Sequence, residues 1–281
     1  MDSPDEFLEN YASGLTTIPL DMTKPLWEVH ILNVKTSEAE AVGILKLHHS
    51  IGDGMSIISL ILACTRKASD PEAIPTIPSS TKKEKNETCF LRRFCYYGWF
   101  LLMVFWNTAV DAVLFLATIL FLKDTETPMK GGAGVGHNPK RLVHRTISLD
   151  DMKLVKNALN MALAEMMERK SKAKWGNKIG YVLTRFPISL PDNPLDYIRQ
   201  AKTIIDRKKL SLESRFSFAA AKLTQDIFGS QAVTMHFQSY CNKMTISLSV
   251  DPQVIPDPHQ LCDDLHHSLH LFKEAVTKQA P

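Results

Sequence analysis

The chain has 281 residues, 44% of them hydrophobic, which is enough for a buried core in two modest domains or one large one. Its formal net charge of +3 is mild, and its Lys and Arg residues are scattered among Glu residues, which argues against nucleic-acid binding. The 5 cysteines form no CxxC pair, so neither a zinc ribbon nor a disulfide framework is indicated. The acidic start, MDSPDEFLENYASG, is the reverse of a signal peptide, and we expect a cytosol-facing protein without a secretory signal.

Two strands and a helix are predicted first along the chain. Residues 26–47 indicate a strand, a polar turn and a second strand, which leads into LHHSIGDGMS at 47–56. The stretch 55–68 has the length and the dense apolar face of a helix, and a Pro-rich, charged linker follows it. The two histidines of LHHSIGDGMS therefore lie in a loop at the C-terminal end of a strand, just ahead of a helix.

The strongest hydrophobic feature is the run 96–122, which is long enough to cross a bilayer. Its polar residues fall on one side of a helix and form a narrow stripe: Asn107, Thr108, Asp111 and Thr118. A charged Asp near the middle of a span costs about 3 kcal/mol. Basic residues precede the run, as anionic membrane surfaces prefer: Lys82, Lys83, Lys85, Arg92 and Arg93. Three interpretations stay open, namely a helix at a lipid interface or over a lipid channel, a true span, and an internal helix.

Strands and helices mix in the remainder, which predicts an α/β or α+β fold with a mixed sheet. The glycine-rich segment GGAGVGHNPK lacks the GK[ST] of a phosphate loop and is interpreted as a flexible connector. The predicted elements are a strand at 141–149, a helix from Asp150, a strand at 175–188, helices at 192–209 and 212–228, a hairpin of 232–240 and 243–250, and a terminal helix with Asp257 as its N-cap.

A second histidine pair lies on that terminal helix, in LHHSLHLF at 265–272. Its polar residues recur at three- and four-residue steps, which could hold a metal: Asp263, His266, His267 and His270. A metal site would need a further convergent ligand and supporting partners. A solvated helix face is therefore the favoured interpretation, and a zinc site is the alternative.

The first pair is a better candidate for chemistry. Adjacent residues that leave a strand point opposite ways, so one of His48 and His49 can face a cavity. Asp53 can orient an imidazole or pin the loop, and the two glycines beside it permit the turn. A neutral imidazole held in this way is a general base suited to neutral pH. Neither serine of the motif lies in a GxSxG frame and Cys64 lies in an apolar helix, so direct attack by an activated hydroxyl is favoured.

The motifs resemble one family. HHSIGDG resembles the HHxxxDG motif of CoA-dependent acyltransferases. The segment PLDMTKPLWEVHIL at 19–32 is similar to the PLxxxxPLW segment of the bifunctional wax ester synthase/diacylglycerol acyltransferases, above all their plant branch. Later segments, among them NPLDYIRQAKTIIDRKK and HFQSYCNKMTISLSVDPQVIPDPHQLCDDL, also resemble that branch. The resemblance covers nearly the whole chain from about Tyr11.

The resemblance implies a two-lobed fold like that of chloramphenicol acetyltransferase, with an N-terminal lobe at 1–80, a linker and membrane-associating helix at 81–140 and a C-terminal lobe at 141–281. Acyl-CoA, as co-substrate, would enter a tunnel between the lobes from one side, and a long-chain alcohol or diacylglycerol from the other. Neither a bound cofactor nor a metal is expected. The implied roles are His49 as general base, His48 as support, Asp53 as a structural residue, Gly54 as a position of close backbone approach, and Asn177 at the lobe interface.

The family also implies a location at the cytosolic face of the endoplasmic reticulum membrane or plasma membrane. A span at 96–122 would separate His49 from Asn177, so association with one membrane surface fits better. The chain departs from the family by lacking a portion ahead of about Asp5 and internal segments after KNALNM and DIFGSQ. The alternative is therefore a shortened form that binds lipid or partners without turnover. An acyltransferase of the BAHD type is disfavoured because the DFGWG signature does not occur.

Overall fold

The structure, a computed structural model, describes residues 3–67, 69–73, 90–121, 138–159, 182–184, 191–219, 232–240 and 242–279. Asn177 and most of the strand predicted at 175–188 lie outside these residues. The described helices are α1 (Pro4–Thr17), α2 (Gly54–Cys64), α3 (Phe90–Leu120), α4 (Leu149–Ala158), α5 (Leu195–Lys209), α6 (Glu213–Ala219) and α7 (Pro258–Gln279). The described strands are β1 (Trp27–Leu32), β2 (Val42–Leu47), β3 (Arg141–Ser148), β4 (Val233–Tyr240) and β5 (Lys243–Val250).

The helix starts follow from capping side chains. The predicted N-cap of α7 is confirmed, since the carboxylate of Asp257 accepts the backbone N–H of Gln260 at 3.0 Å. Helix α4 begins one residue before the predicted Asp150, because the hydroxyl of Ser148 accepts the N–H of Asp151 and caps the helix there. Helix α2 is shorter than predicted, because the chain becomes extended at Thr65.

The strands form two small sheets, and the pairings between described strands are antiparallel. β1 pairs with β2, from Trp27 opposite Leu47 to Leu32 opposite Val42. In the second sheet β5 lies between β3 and β4. The predicted hairpin of β4 and β5 is confirmed, with Asn242 in its turn at φ 61°, a conformation that Asn tolerates better than most residues. The predicted combination of helices and strands is confirmed, but the two sheets that the described strands form are antiparallel and not mixed.

The main core lies between the second sheet and helices α4 and α7. The members of this core are Val143, Ile147, Val155, Ile246, Leu248, Val250, Cys262 and Leu269. Leu248 on the central strand has no exposed surface. The terminal helix turns an apolar face to this core, since Leu269 is buried in it and Leu261, Leu265 and Phe272 pack against it.

The N-terminal helix joins the two sheets. Helix α1 packs on β3, where the hydroxyl of Ser13 accepts the backbone N–H of Leu142 at 2.9 Å. The buried carboxylate of Glu9 lies 3.0 Å from Nε2 of His259 in the first turn of α7. The hydroxyl of Tyr11 on α1 also lies 3.0 Å from Nδ1 of His30 on β1, which places the β1–β2 sheet beside the sheet that carries the main core.

Helix α3 is anchored through its polar stripe. Asp111 is 1% exposed, and its Oδ1 lies 2.9 Å from both Nζ of Lys208 and Nη2 of Arg207 at the end of α5. Lys208 also lies 2.5 Å from the buried carboxylate of Glu213 on α6. Burial by itself would raise the pKa of Asp111, but Lys208, Ser211 and Arg207 hold it below its ordinary value. Asp111 is therefore an ionised member of a charge-balanced cluster formed by Asp111, Arg207, Lys208 and Glu213.

The remaining surface of α3 is apolar and mostly exposed. Residues 94–118 have a mean hydropathy of 1.9 over their most apolar window, of which 11% is buried. By length and composition this stretch could cross a membrane. The predicted polar stripe is nevertheless on the covered side, because Asn107 and Asp111 are buried and Thr108 accepts the N–H of Leu212 at 3.0 Å.

Candidate active site

The HHSIGDG loop joins β2 to α2, which is the predicted strand, loop and helix arrangement. The backbone N–H of His48 still donates to the carbonyl of Leu26, the residue just before β1, at 3.0 Å. Residues His49–Ile51 then form one turn of 3-10 helix, and Asp53 caps α2. The loop is therefore fixed at both ends by backbone hydrogen bonds or a cap, so that the imidazoles lie at a defined position beyond the strand.

The ring of His48 is used to hold this turn. Its Nδ1 accepts the backbone N–H of Ser50 at 3.2 Å and lies 2.7 Å from the hydroxyl of the same residue. Because a backbone N–H can only donate, Nδ1 is the acceptor, and a neutral His48 carries its proton on Nε2. His48 thus acts as the N-cap of the 3-10 turn, which is a supporting position.

Asp53 holds the start of α2. Its Oδ1 accepts the backbone N–H of Ser56 at 2.9 Å, and its carbonyl accepts that of Ile57 at 3.0 Å. The carboxylate therefore fixes the end of the loop that leads away from His49. At Gly54 an added Cβ would meet no atom within 4 Å, so the space beside this backbone is open.

His49 is exposed and follows an apolar face of the β1–β2 sheet. This face is formed by two cross-strand pairs, Trp27 with Leu47 and Val29 with Leu45, and by Ile31 further along β1. The residues between them on each strand point to the other side of the sheet. Ile31 is 81% exposed and Val29 is 53% exposed. His49 begins the 3-10 turn two residues after Leu47, where β2 ends. The arrangement puts an imidazole at the end of an accessible apolar surface.

A cavity of about 260 Å³ lies between α1, β2 and the second sheet. Its lining is mostly apolar and includes Leu8, Ile44, Leu142 and Leu248, with Glu9 at its margin. Strand β2, which leads into the histidine loop, and the second sheet therefore both line this cavity.

The other reactive side chains of the described residues offer less. Burial raises the pKa of the Cys262 thiol, which lies in the core and is a poor nucleophile there. The predicted wet face of α7 is confirmed, because His267 and His270 are exposed and the rings of His266 and His270 stack edge to face at 5.1 Å. Among the described ranges, groups of three His, Cys, Asp or Glu side chains arranged to hold a metal do not occur.

Comparison with known proteins identifies two family models. The wax ester synthase/diacylglycerol acyltransferase catalytic domain matches residues 3–166, and the WS/DGAT C-terminal domain matches 175–232 and 227–273. Wax ester synthase/diacylglycerol acyltransferase 11 of Arabidopsis thaliana is 40% identical over 99% of this chain and 79% of its own length. Protein 5 of the same series is 39% identical over 98% of this chain and 76% of its own length.

The solved structure of the wax ester synthase/diacylglycerol acyltransferase from Marinobacter aquaeolei VT8 has the same fold. Its TM-score is 0.59 at 12% identity, over 96% of this chain and 76% of that chain. The alignment with the first Arabidopsis relative runs over 385 positions, whereas this chain has 281 residues. The relative therefore carries internal segments that have no counterpart here, as the two interrupted stretches of the sequence predicted.

Proposed function

Because the chain belongs to the wax ester synthase/diacylglycerol acyltransferase family, we propose that it is an O-acyltransferase that moves a fatty acyl group from acyl-CoA to a hydroxyl. The acceptor would be a long-chain alcohol, which gives a wax ester, or diacylglycerol, which gives triacylglycerol. The observation that carries the proposal is the HHSIGDG loop at the end of β2, where His48 and Asp53 fix the backbone on either side of the exposed His49.

His49 is the general base in this proposal. Its imidazole takes the proton of the acceptor hydroxyl while the hydroxyl oxygen attacks the thioester carbonyl of acyl-CoA. The tetrahedral intermediate then collapses to the ester and expels the CoA thiolate, which receives the proton from His49. The acyl group passes directly between the substrates, so a covalent acyl-enzyme is not formed. General base catalysis of this kind contributes roughly 10²- to 10⁴-fold to a rate.

The supporting roles follow the same geometry. His48 keeps the 3-10 turn in place through Ser50, and Asp53 keeps the start of α2 in place. Gly54 leaves room for a substrate to approach the backbone. Asn177 is proposed to build the interface between the N-terminal and C-terminal lobes.

The reaction is proposed to take place at the cytosolic face of the endoplasmic reticulum membrane or plasma membrane. Both acceptors are insoluble in water, so an enzyme that uses them gains from a position at a lipid surface. The long apolar helix α3 supports this location, because most of its surface is exposed and uncharged.

The proposal is tested with purified full-length protein that is monodisperse and unfolds cooperatively. Labelled acyl-CoA is supplied with hexadecanol or with diacylglycerol, and the labelled ester is measured. We expect product from the parent chain and a loss of at least about 100-fold in His49→Ala. His267→Ala changes an exposed histidine of α7 and is the matched control, which should keep the parent rate. A parent chain without product above background, or a His49→Ala variant as active as His267→Ala, contradicts the proposal.

A further inference from the structure

The two faces of α3 have opposite surroundings. Asn107, Asp111 and Phe115 follow one another at four-residue steps and are buried, which defines the inner face of α3. The outer face of α3 is made of exposed apolar residues on the other side of the helix: Leu102, Phe105, Val113, Leu116 and Leu120. We propose that α3 lies along one leaflet of a lipid bilayer with its outer face among the acyl chains, and does not cross the bilayer. This proposal deepens, and rests on, the proposed reaction at a lipid surface.

The inner face is occupied by the C-terminal part of the chain. Asp111 lies 2.9 Å from Lys208 and from Arg207 of α5. One turn further, Phe115 packs edge to face on Phe216 of α6, with ring centroids 5.6 Å apart. An ion pair and an aromatic contact on successive turns fix the rotation of α3 about its axis, so the face turned away from α5 and α6 is also fixed.

These contacts are incompatible with a span. At 1.5 Å per residue, Asp111 lies about 10 Å along the axis from Thr118 and about 26 Å from Phe94, and therefore well inside the apolar stretch. A crossing helix would carry α5 into the hydrocarbon with it, yet seven of the 15 residues of α5 are charged. If α3 instead crossed alone, its contacts with Lys208 and Arg207 would break and the Asp111 carboxylate would be left without a cation in the bilayer. A helix that lies in the surface keeps every one of these contacts and still buries its outer face.

The composition of the outer face selects lipid over protein as its occupant. Between residues 94 and 121 the only charged side chain is Asp111, which is on the inner face. Protein interfaces have a polar rim and regular hydrogen bonds, whereas the outer face of α3 extends for about 27 Å from Leu102 to Leu120 as hydrocarbon and aromatic rings. Tyr96, Trp99 and Trp106 are exposed, and such amphipathic rings favour the headgroup level of a membrane. The basic residues ahead of the apolar run, including Arg92 and Arg93 at the start of α3, add attraction to anionic lipid.

The first test is topological and uses the parent chain. The protein, with one epitope tag at each terminus, is synthesised in the presence of sealed microsomes, which are then treated with protease. A helix in the surface leaves both tags on the outside, so both are digested. A crossing helix puts the tags on opposite sides, so one is protected. Protection of a single tag therefore overturns the proposal.

The second test measures binding to sealed vesicles of phosphatidylcholine with one fifth phosphatidylserine. We expect the parent to float with the vesicles and Phe105→Glu/Leu116→Glu to lose at least tenfold in its partition coefficient. The matched control is Phe237→Glu/Leu271→Glu, which puts two charges on exposed apolar residues of β4 and α7 and should bind as the parent does. The proposal fails if the double variant binds like the parent, or if the parent stays in solution as an oligomer held together by α3. An absence of acyl transfer would contradict the proposed function but leave both membrane results valid.

Discussion

The charge cluster that anchors α3 should contribute strongly to stability, and Lys208→Met tests this. The substitution removes the cation that lies between Asp111 and Glu213, whose side chains are 0% and 2% exposed. Removing one partner of a buried ion pair costs about 3–5 kcal/mol, because the remaining charge is left without compensation. Asp111 keeps Arg207 at 2.9 Å and Glu213 keeps the backbone N–H of Leu183 at 3.1 Å. We therefore expect the lower end of the range, about 3 kcal/mol.

The assay is thermal unfolding followed by tryptophan fluorescence in one fixed detergent. At about 2 °C per kcal/mol for a chain of this size, the Tm of Lys208→Met should fall by about 6 °C. Lys209→Met is the control, because Lys209 pairs with Asp206 at the surface and such pairs contribute about 0–1 kcal/mol. A triple variant, Asp111→Asn/Lys208→Met/Glu213→Gln, removes the three buried charges of the cluster and keeps only Arg207, which is partly exposed. The Tm of this variant should therefore recover most of the decrease caused by Lys208→Met. Equal Tm values for Lys208→Met and Lys209→Met, within about 2 °C, would show that the buried charge cluster does not stabilise the fold.

Three further changes test the loop, the acid stability and the core. Asp53→Ala removes the cap of α2 and should lower kcat at least about tenfold, because His49 is displaced. Asp53→Asn keeps a capping oxygen and should retain more activity. Equal kcat values for the two variants would contradict this. At Asp251 burial opposes ionisation, but the N–H of Gln253 and the side chains of Asn138 and Lys140 hold its pKa below the ordinary value. That stability is present above the unfolded pKa of about 4 and is lost as the pH falls through the folded pKa, so Asp251→Asn should flatten the fall of Tm below pH 4. Leu248→Ala should destabilise by about 2–5 kcal/mol in urea unfolding, and a loss below 1 kcal/mol would show that the core relaxes around the missing side chain.

Elements whose signals are local were predictable from the sequence. The hairpin of β4 and β5 needs only two alternating strands and a residue that tolerates positive φ between them, and Asn242 supplies it. The start of α7 needs only a carboxylate three residues ahead of an N–H that lacks a carbonyl partner, and Asp257 supplies that. In both cases the residues that decide the structure lie within about four positions of one another.

Contacts between distant segments could not be predicted in this way. The apolar run with a single Asp predicted a polar stripe on α3, but Lys208, which covers Asp111, is 97 positions away. The bond from Leu142 to Ser13 spans 129 positions, and nothing in either segment marks the other as its partner. Sequence patterns identify a face that must be covered, whereas the partner depends on how the whole chain packs.

The contact between Ser50 and His48 is local, but it was not predicted from the sequence. A serine two residues after a histidine is within reach of its ring, and a search for side-chain caps would have found it. In the structure Ser50 is a donor to His48 and not a nucleophile.

The two histidine pairs differ because the backbone beneath them differs. In the first turn of a helix the N–H groups have no carbonyl partner, so the N–H of Ser50 is available to Nδ1 of His48. In the middle of α7 each N–H is already bonded to the carbonyl four residues earlier, so the rings of His266 and His270 have each other and solvent as surroundings. One ring of the first pair can therefore fix the loop while the next is presented beyond the strand. A histidine pair at a strand-to-helix junction is therefore a better candidate for catalysis than a pair inside a helix, because backbone N–H groups without a carbonyl partner are available at the junction.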